Sequence, residues 1–232
     1  MSVEEIQLPV GEDSVSGRLN VPNDDAKRGD AERGIVLLPG AGHGPYGDIF
    51  DQFADTATED GHHVLRFQSW RSPDELWEKT LGELHAEIDA AVAFLQDSGC
   101  SNVSLVAKSF CGGVSLTHVP DAIERMVLWA PAIRVGEQAT IEEIETTKLS
   151  EAESMQIDDA TLAAIETPTL ILHGDEDEGV PIEGSERMVE HMQDARLAVI
   201  EGTDHSFLGT DPREETVEKT AAFLSNGLRC HS

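Results

Sequence analysis

The sequence predicts an α/β fold built on a mostly parallel central sheet with helices on both faces, and three observations predict it. Short apolar segments of strand length alternate with amphipathic stretches of helical period along the chain. Residues 34–38, 103–107, 126–130 and 169–173 are apolar almost throughout, the pattern of strands buried on both faces. The length of 232 residues suits one large domain, so a single unit spanning 1–232 is expected.

Each element has its own signal. Residues 3–8 and 14–21 read as a strand pair around the turn Gly11-Glu12-Asp13, and the polar stretch 23–33 reads as a loop. The apolar run 34–38 ends at Pro39-Gly40-Ala41-Gly42-His43-Gly44-Pro45, whose Gly and Pro content forbids helix or strand. Residues 48–60 set Ile49, Phe53 and Ala57 at helical spacing and stop at Gly61. After a strand at 63–67, Ser72-Pro73-Asp74-Glu75 starts a helix, with Ser72 as cap and Pro73 in the first position. That helix is expected to run to about Gln96, with Leu76, Leu84, Ile88, Ala91 and Leu95 facing inward. The strand at 103–107 turns through Ser109 into a helix at 110–118, ended by Pro120. A strand at 126–130 precedes a glutamate-rich insertion at about 134–167, too short for a domain of its own but long enough for a small lid. The chain closes with a strand at 169–173, a helix at 182–192, a strand at 196–200 and a helix at 213–224.

Composition excludes several functions. The 45 acidic residues against 16 basic ones give a formal net charge of −29, with no basic stripe for a phosphate backbone, so nucleic acid is not expected as a partner. Such self-repulsion opposes compaction unless salt screens it, and in molar salt the Debye length falls to roughly 3 Å, so a halophilic setting is expected. Glu4 and Glu5 stand where a signal peptide would carry basic residues, and no apolar run approaches the roughly 18 to 20 residues of a membrane span. A cytoplasmic location and no membrane partner follow as expectations. The three cysteines, Cys100, Cys111 and Cys230, lack disulfide or zinc spacing and are expected as free thiols. Gly40, Gly42 and Gly44 complete neither G-x-G-x-x-G nor a P-loop. Asp175-x-Asp177-x-Gly179 imitates a calcium loop, but the glycine falls one place early and the bidentate glutamate is missing. No metal or cofactor is expected.

Four loops carry the residues that acyl transfer needs: a nucleophile, a base, a carboxylate to hold the base, and donors for an oxyanion. Val106-Ala107-Lys108-Ser109-Phe110-Cys111-Gly112-Gly113 sets a serine between strand and helix, with small residues two before and two after it. The plain alternative for Ser109 is a helix N-cap. Beside this turn stand His173-Gly174-Asp175-Glu176-Asp177-Glu178-Gly179-Val180-Pro181 and Gly202-Thr203-Asp204-His205-Ser206-Phe207, each after a strand. Of the nine histidines, only His205 combines a loop after a strand with a place C-terminal to both other members.

In this order the segments resemble the α/β-hydrolase superfamily, in particular its small esterases and dienelactone-hydrolase-like members. The family's G-x-S-x-G is altered here, with Ala107 and Cys111 in the glycine slots and serine, not cysteine, as nucleophile. The resemblance implies an α/β-hydrolase fold and a triad of Ser109, His205 and Asp177, with Asp175 and Glu178 as alternative acids. It also implies that the N–H groups of Ala41 and Phe110 form the oxyanion hole, with Pro39 where the family often has histidine. Tyr46, Trp70, Phe110 and Trp129 lie beyond strand ends, where open α/β sheets bind ligands, and are expected to line an apolar substrate pocket. The implied activity is hydrolysis of small or medium acyl esters. Thioester or dienelactone hydrolysis and a non-catalytic scaffold are the alternatives.

Overall fold

In the computed structural model, residues 1–23, 32–42, 44–135, 145–151 and 156–225 are described. The strands are β1 (Ser2–Val10), β2 (Asp13–Val21), β3 (Arg33–Leu38), β4 (His62–Phe67), β5 (Asn102–Lys108), β6 (Ile123–Trp129), β7 (Arg134–Val135), β8 (Gln156–Ile157), β9 (Thr169–Gly174) and β10 (Ala195–Ile200). The helices are α1 (Asp48–Glu59), α2 (Pro73–Trp77), α3 (Leu81–Asp97), α4 (Ser109–Thr117), α5 (Asp159–Ala164), α6 (Ile182–His191) and α7 (Thr210–Ser225). Eight strands form one sheet in the order β1-β2-β4-β3-β5-β6-β9-β10. Only β2 against β1 and β4 runs antiparallel; every other pairing is parallel, as the apolar runs predict.

Alternation along the central strands sorts side chains into two cores. Val36, Leu38, Leu105, Ala107, Met126 and Leu128 join residues of α3 and α4 on one face of the sheet. Ile35, Leu37, Val106, Val127 and Trp129 join α1 and α7 on the other. Both faces are therefore dry, and the helix–sheet layers fix where each strand tip points.

The single helix expected over 72–96 is two. Ser72 caps α2 by accepting from the Glu75 N–H at 3.3 Å. Thr80 starts α3 with a full capping box, its Oγ1 accepting from the Glu83 N–H while Glu83 accepts from the Thr80 N–H. Between them the chain turns outward to meet the insertion: the carbonyls of Trp77 and Lys79 accept from Ser150 and Leu149 at 2.9 and 2.8 Å, and Glu145 accepts from the Gly82 N–H. Carbonyls committed to these bonds cannot extend α2, and the helical period of 72–96 carries no trace of a partner so distant in sequence.

Of the expected insertion, residues 136–144 and 152–155 lie outside the described residues, as do most of the 23–33 loop, His43 and Cys230. Residues 134–135, where the insertion begins, pair in parallel with 156–157 further along it, as β7–β8. No helix of the described residues is long and apolar enough to cross a membrane.

Candidate active site

Ser109 sits where β5 reverses into α4, with φ +51°, in the left-handed region that costs a non-glycine residue strain. Its carbonyl accepts from the Ala132 N–H at 2.8 Å, which pins the turn from the β6 side. Small neighbours are needed here for a physical reason: a Cβ on Gly112 would lie 3.0 Å from the Cα and Cβ of Pro131. The glycine demanded by close packing thus stands one place after the family's slot, and Cys111 fits within the core, 5% exposed. The capping role open to Ser109 in the sequence is not taken. Lys108 occupies the N-cap position and no side chain caps α4, so the serine hydroxyl is free for another partner.

That partner is His205. Its Nε2 lies 2.8 Å from Ser109 Oγ, and its Nδ1 lies 2.7 Å from Asp177 Oδ2. Asp177 is held in turn, its Oδ1 accepting from the N–H groups of Gly179 and Val180 at 2.9 and 2.8 Å. The loops bearing acid and histidine are stapled together: Glu176 N–H donates to the Thr203 carbonyl, and Gly202 N–H donates to Asp175 Oδ1. Asp175 is thus a strut between loops, and Asp177 is the carboxylate that reaches the imidazole. Gly174 permits this closeness, because a Cβ there would fall 2.3 Å from the Thr203 carbonyl oxygen.

Burial alone would raise the Asp177 carboxyl, but the Val180 N–H, the His205 ring and the Gly179 N–H together hold it below the ordinary carboxylate value. The His205 ring is held below the ordinary histidine value, first by burial and then by the charge of Lys108, against the pull of Asp177. A neutral imidazole with one nitrogen on a hydroxyl and the other on a carboxylate is poised to accept a proton.

The β3–α1 loop approaches from the other side. A Cβ on Gly40 would come within 3.1 Å of Ser109 Cβ, which brings the Ala41 loop against the turn that carries Ser109. Phe110 lies in the first turn of α4, where backbone N–H groups have no intrahelical acceptor. Among the described residues, no group of three or more His, Cys, Asp or Glu is disposed to hold a metal ion.

The expected pocket residues divide. Phe110 and Trp70 are themselves buried in the core, 8% and 3% exposed, with Phe110 packed edge-on against Trp70 and Trp77 at ring centroids 6.3 and 5.9 Å apart. Tyr46 lies under the guanidinium groups of Arg18 and Arg66 and shares with Trp70 a cavity of about 380 Å³ that none of the triad residues borders. Trp129 corrects the expectation. It is wholly buried against Phe50 and Phe53, with Nε1 donating to Thr220 Oγ1 at 3.0 Å, so it joins α1 and α7 to the sheet. Its strand parity matches Val127, which points it away from the face that carries Phe110.

Three residues near the triad were not singled out in the sequence. His173, fully buried, bridges the Val180 carbonyl and Ser185 Oγ at 2.9 and 2.8 Å and braces the acid loop from below; its place at the head of the acid segment was the available signal. Trp77, 40% exposed, extends the aromatic wall beside Phe110 and depends on the unforeseen end of α2. Lys108, 9% exposed, is a charged side chain inside the domain, and a lysine at an apolar strand tip was its signal.

A family model described as serine aminopeptidase, S33 matches residues 151–213, the stretch that holds Asp177 and His205. No curated protein matches the chain. Solved structures match along nearly its whole length. A dienelactone hydrolase from Anabaena variabilis ATCC 29413 superposes with a TM-score of 0.74 at 19% identity, covering 98% of this chain and 99% of that one. Est1E from Butyrivibrio proteoclasticus gives 0.72 at 16% identity, covering 95% and 97%. A serine hydrolase from the polyaromatic-hydrocarbon-degrading bacterium Cycloclasticus zankles gives 0.66 at 15% identity, covering 96% and 98%. The chain has the α/β-hydrolase fold.

Proposed function

We propose that this α/β-hydrolase-fold chain is a serine hydrolase that cleaves small or medium acyl esters through an acyl-enzyme on Ser109. The observation that carries the reading is the hydrogen-bond chain from Ser109 Oγ through both nitrogens of His205 to Asp177, with each end fixed by backbone. In this mechanism His205 Nε2 takes the Ser109 proton as Oγ attacks the ester carbonyl. Charge on the carbonyl oxygen is met by the N–H groups of Ala41 and Phe110, a contact worth roughly 3 kcal/mol per donor in such sites. The imidazolium then protonates the departing alcohol, and water repeats the sequence to release the acid. Asp177 keeps the proton of the resting imidazole on Nδ1, so that Nε2 faces the serine as acceptor.

Trp77, exposed beside the ring of Phe110, supports an apolar acyl or alcohol group, and no cofactor takes part in these steps. The test is hydrolysis of a graded series of acyl esters and acyl thioesters in molar salt. Turnover of short esters is expected, falling about 10³-fold or more in His205→Ala, as for other enzymes of this chemistry. Equal turnover by wild type and His205→Ala would remove the reading.

A further inference from the structure

Lys108 precedes the nucleophile, and the acyl-transfer steps above leave it without a task. By strand parity it turns with Val106 toward the α1–α7 face, opposite the side that carries Phe110 and Trp70. Its Nζ ends 6.0 Å from the centroid of the Phe207 ring. Phe207 is wholly buried two residues beyond His205, with φ +54°, so the ammonium lies directly against the turn that carries the base. Among the described residues Nζ has no hydrogen-bond or ion-pair partner, and the tip of the side chain keeps some contact with solvent. A largely buried ammonium without a close counter-ion costs stability, and lysine is seldom buried unpaired.

We infer that the Lys108 ammonium is a positioning charge for the base, lying under the His205 turn so that the imidazole stays neutral and ready to accept a proton. This rests on the reading of Ser109, His205 and Asp177 as a catalytic triad. The groups that act on His205 are Lys108 from the end of β5, Asp177 from the loop after β9 and His173 from β9 itself. Those that act on Lys108 are Asp177 and Asp204. Asp204 is already an acceptor for the Ser206 N–H, and Asp177 is committed to His205 and two backbone donors. The lysine therefore meets its counter-charges at a distance, and its field reaches the imidazole instead of being cancelled by one contact. Burial brings its own ammonium down to about 8, against the opposing pull of Asp177 and Asp204. Just above neutral pH it sheds its proton and the field on His205 is switched off.

The test follows the His205 ring by NMR titration in a Ser109→Ala background, where no turnover is required, and the pH dependence of fluorophosphonate labelling in the otherwise native chain. In Lys108→Met both the His205 midpoint and the acid limb of labelling are expected to move up by about 0.5 to 1 pH unit, a loss of roughly 3- to 10-fold in labelling below the midpoint. Lys108→Arg should restore the native midpoint. With Lys108 in place, the ring shift should show a second inflection near the lysine's titration, at about 8. A His205 midpoint unmoved by Lys108→Met overturns the inference, as does a single-step titration of the native lysine form; the latter needs no variant at Lys108 to fold. If no form labels while the midpoint still moves with Lys108, the charge coupling stands and the serine-nucleophile reading is what falls.

Discussion

Each residue of the proposed triad is held by something other than its neighbours in it. Ser109 is pinned through its carbonyl, Asp177 through two backbone donors, and the His205 turn through its staples to the acid loop. Replacing Asp177 with Asn keeps the shape but offers the imidazole a donor in place of a carboxylate, so kcat should fall by about 10³- to 10⁴-fold with KM little changed. The pH dependence has a definite sign. In the proposed mechanism the active form of His205 is the neutral one, and its ring is held below the ordinary histidine value, so the acid limb of kcat/KM should be centred below that value. An acid limb centred above it would contradict this. At this scale the sequence was legible where chemistry is scarce: few residue types can attack, accept a proton or orient a base, and their order along the chain leaves few assignments. Trp129 was not legible, because a tryptophan at a strand tip turns to one face or the other according to a parity that shifts with a single residue.

Elements bring these residues together through close approaches that only small residues permit. Gly174 lets the tip of β9 touch the loop after β10, and a methyl group there would strike the Thr203 carbonyl. Gly174→Ala should cost about 1 to 3 kcal/mol of stability, read as a lower midpoint in denaturant, and should lower kcat by parting the acid from the histidine. The break between α2 and α3 is a second such point. Removing the capping box with Thr80→Ala should cost about 1 kcal/mol while leaving the triad distances intact. Strands, turns and the first caps were readable from period and punctuation. The break was not, because the bonds that end α2 come from residues 145–150, some seventy positions away, and local propensity carries no record of them.

At the scale of the whole molecule, the two dry faces of a mostly parallel sheet explain why the alternation of strand and helix signals pointed to this fold, and the net charge bears on the salt conditions under which it would hold together. A formal charge of −29 repels itself at low ionic strength, so the melting temperature should rise steadily from millimolar to molar salt; a flat response would remove the halophilic reading. Activity should therefore be measured in high salt. The central claim is that Ser109 is the nucleophile, and mass analysis of the intact chain and of its peptides after brief exposure to a fluorophosphonate in molar salt tests it most directly. One adduct on the peptide bearing Ser109 is predicted for the native chain and none for Ser109→Ala; an adduct retained by Ser109→Ala, or none on folded native protein, would contradict the account.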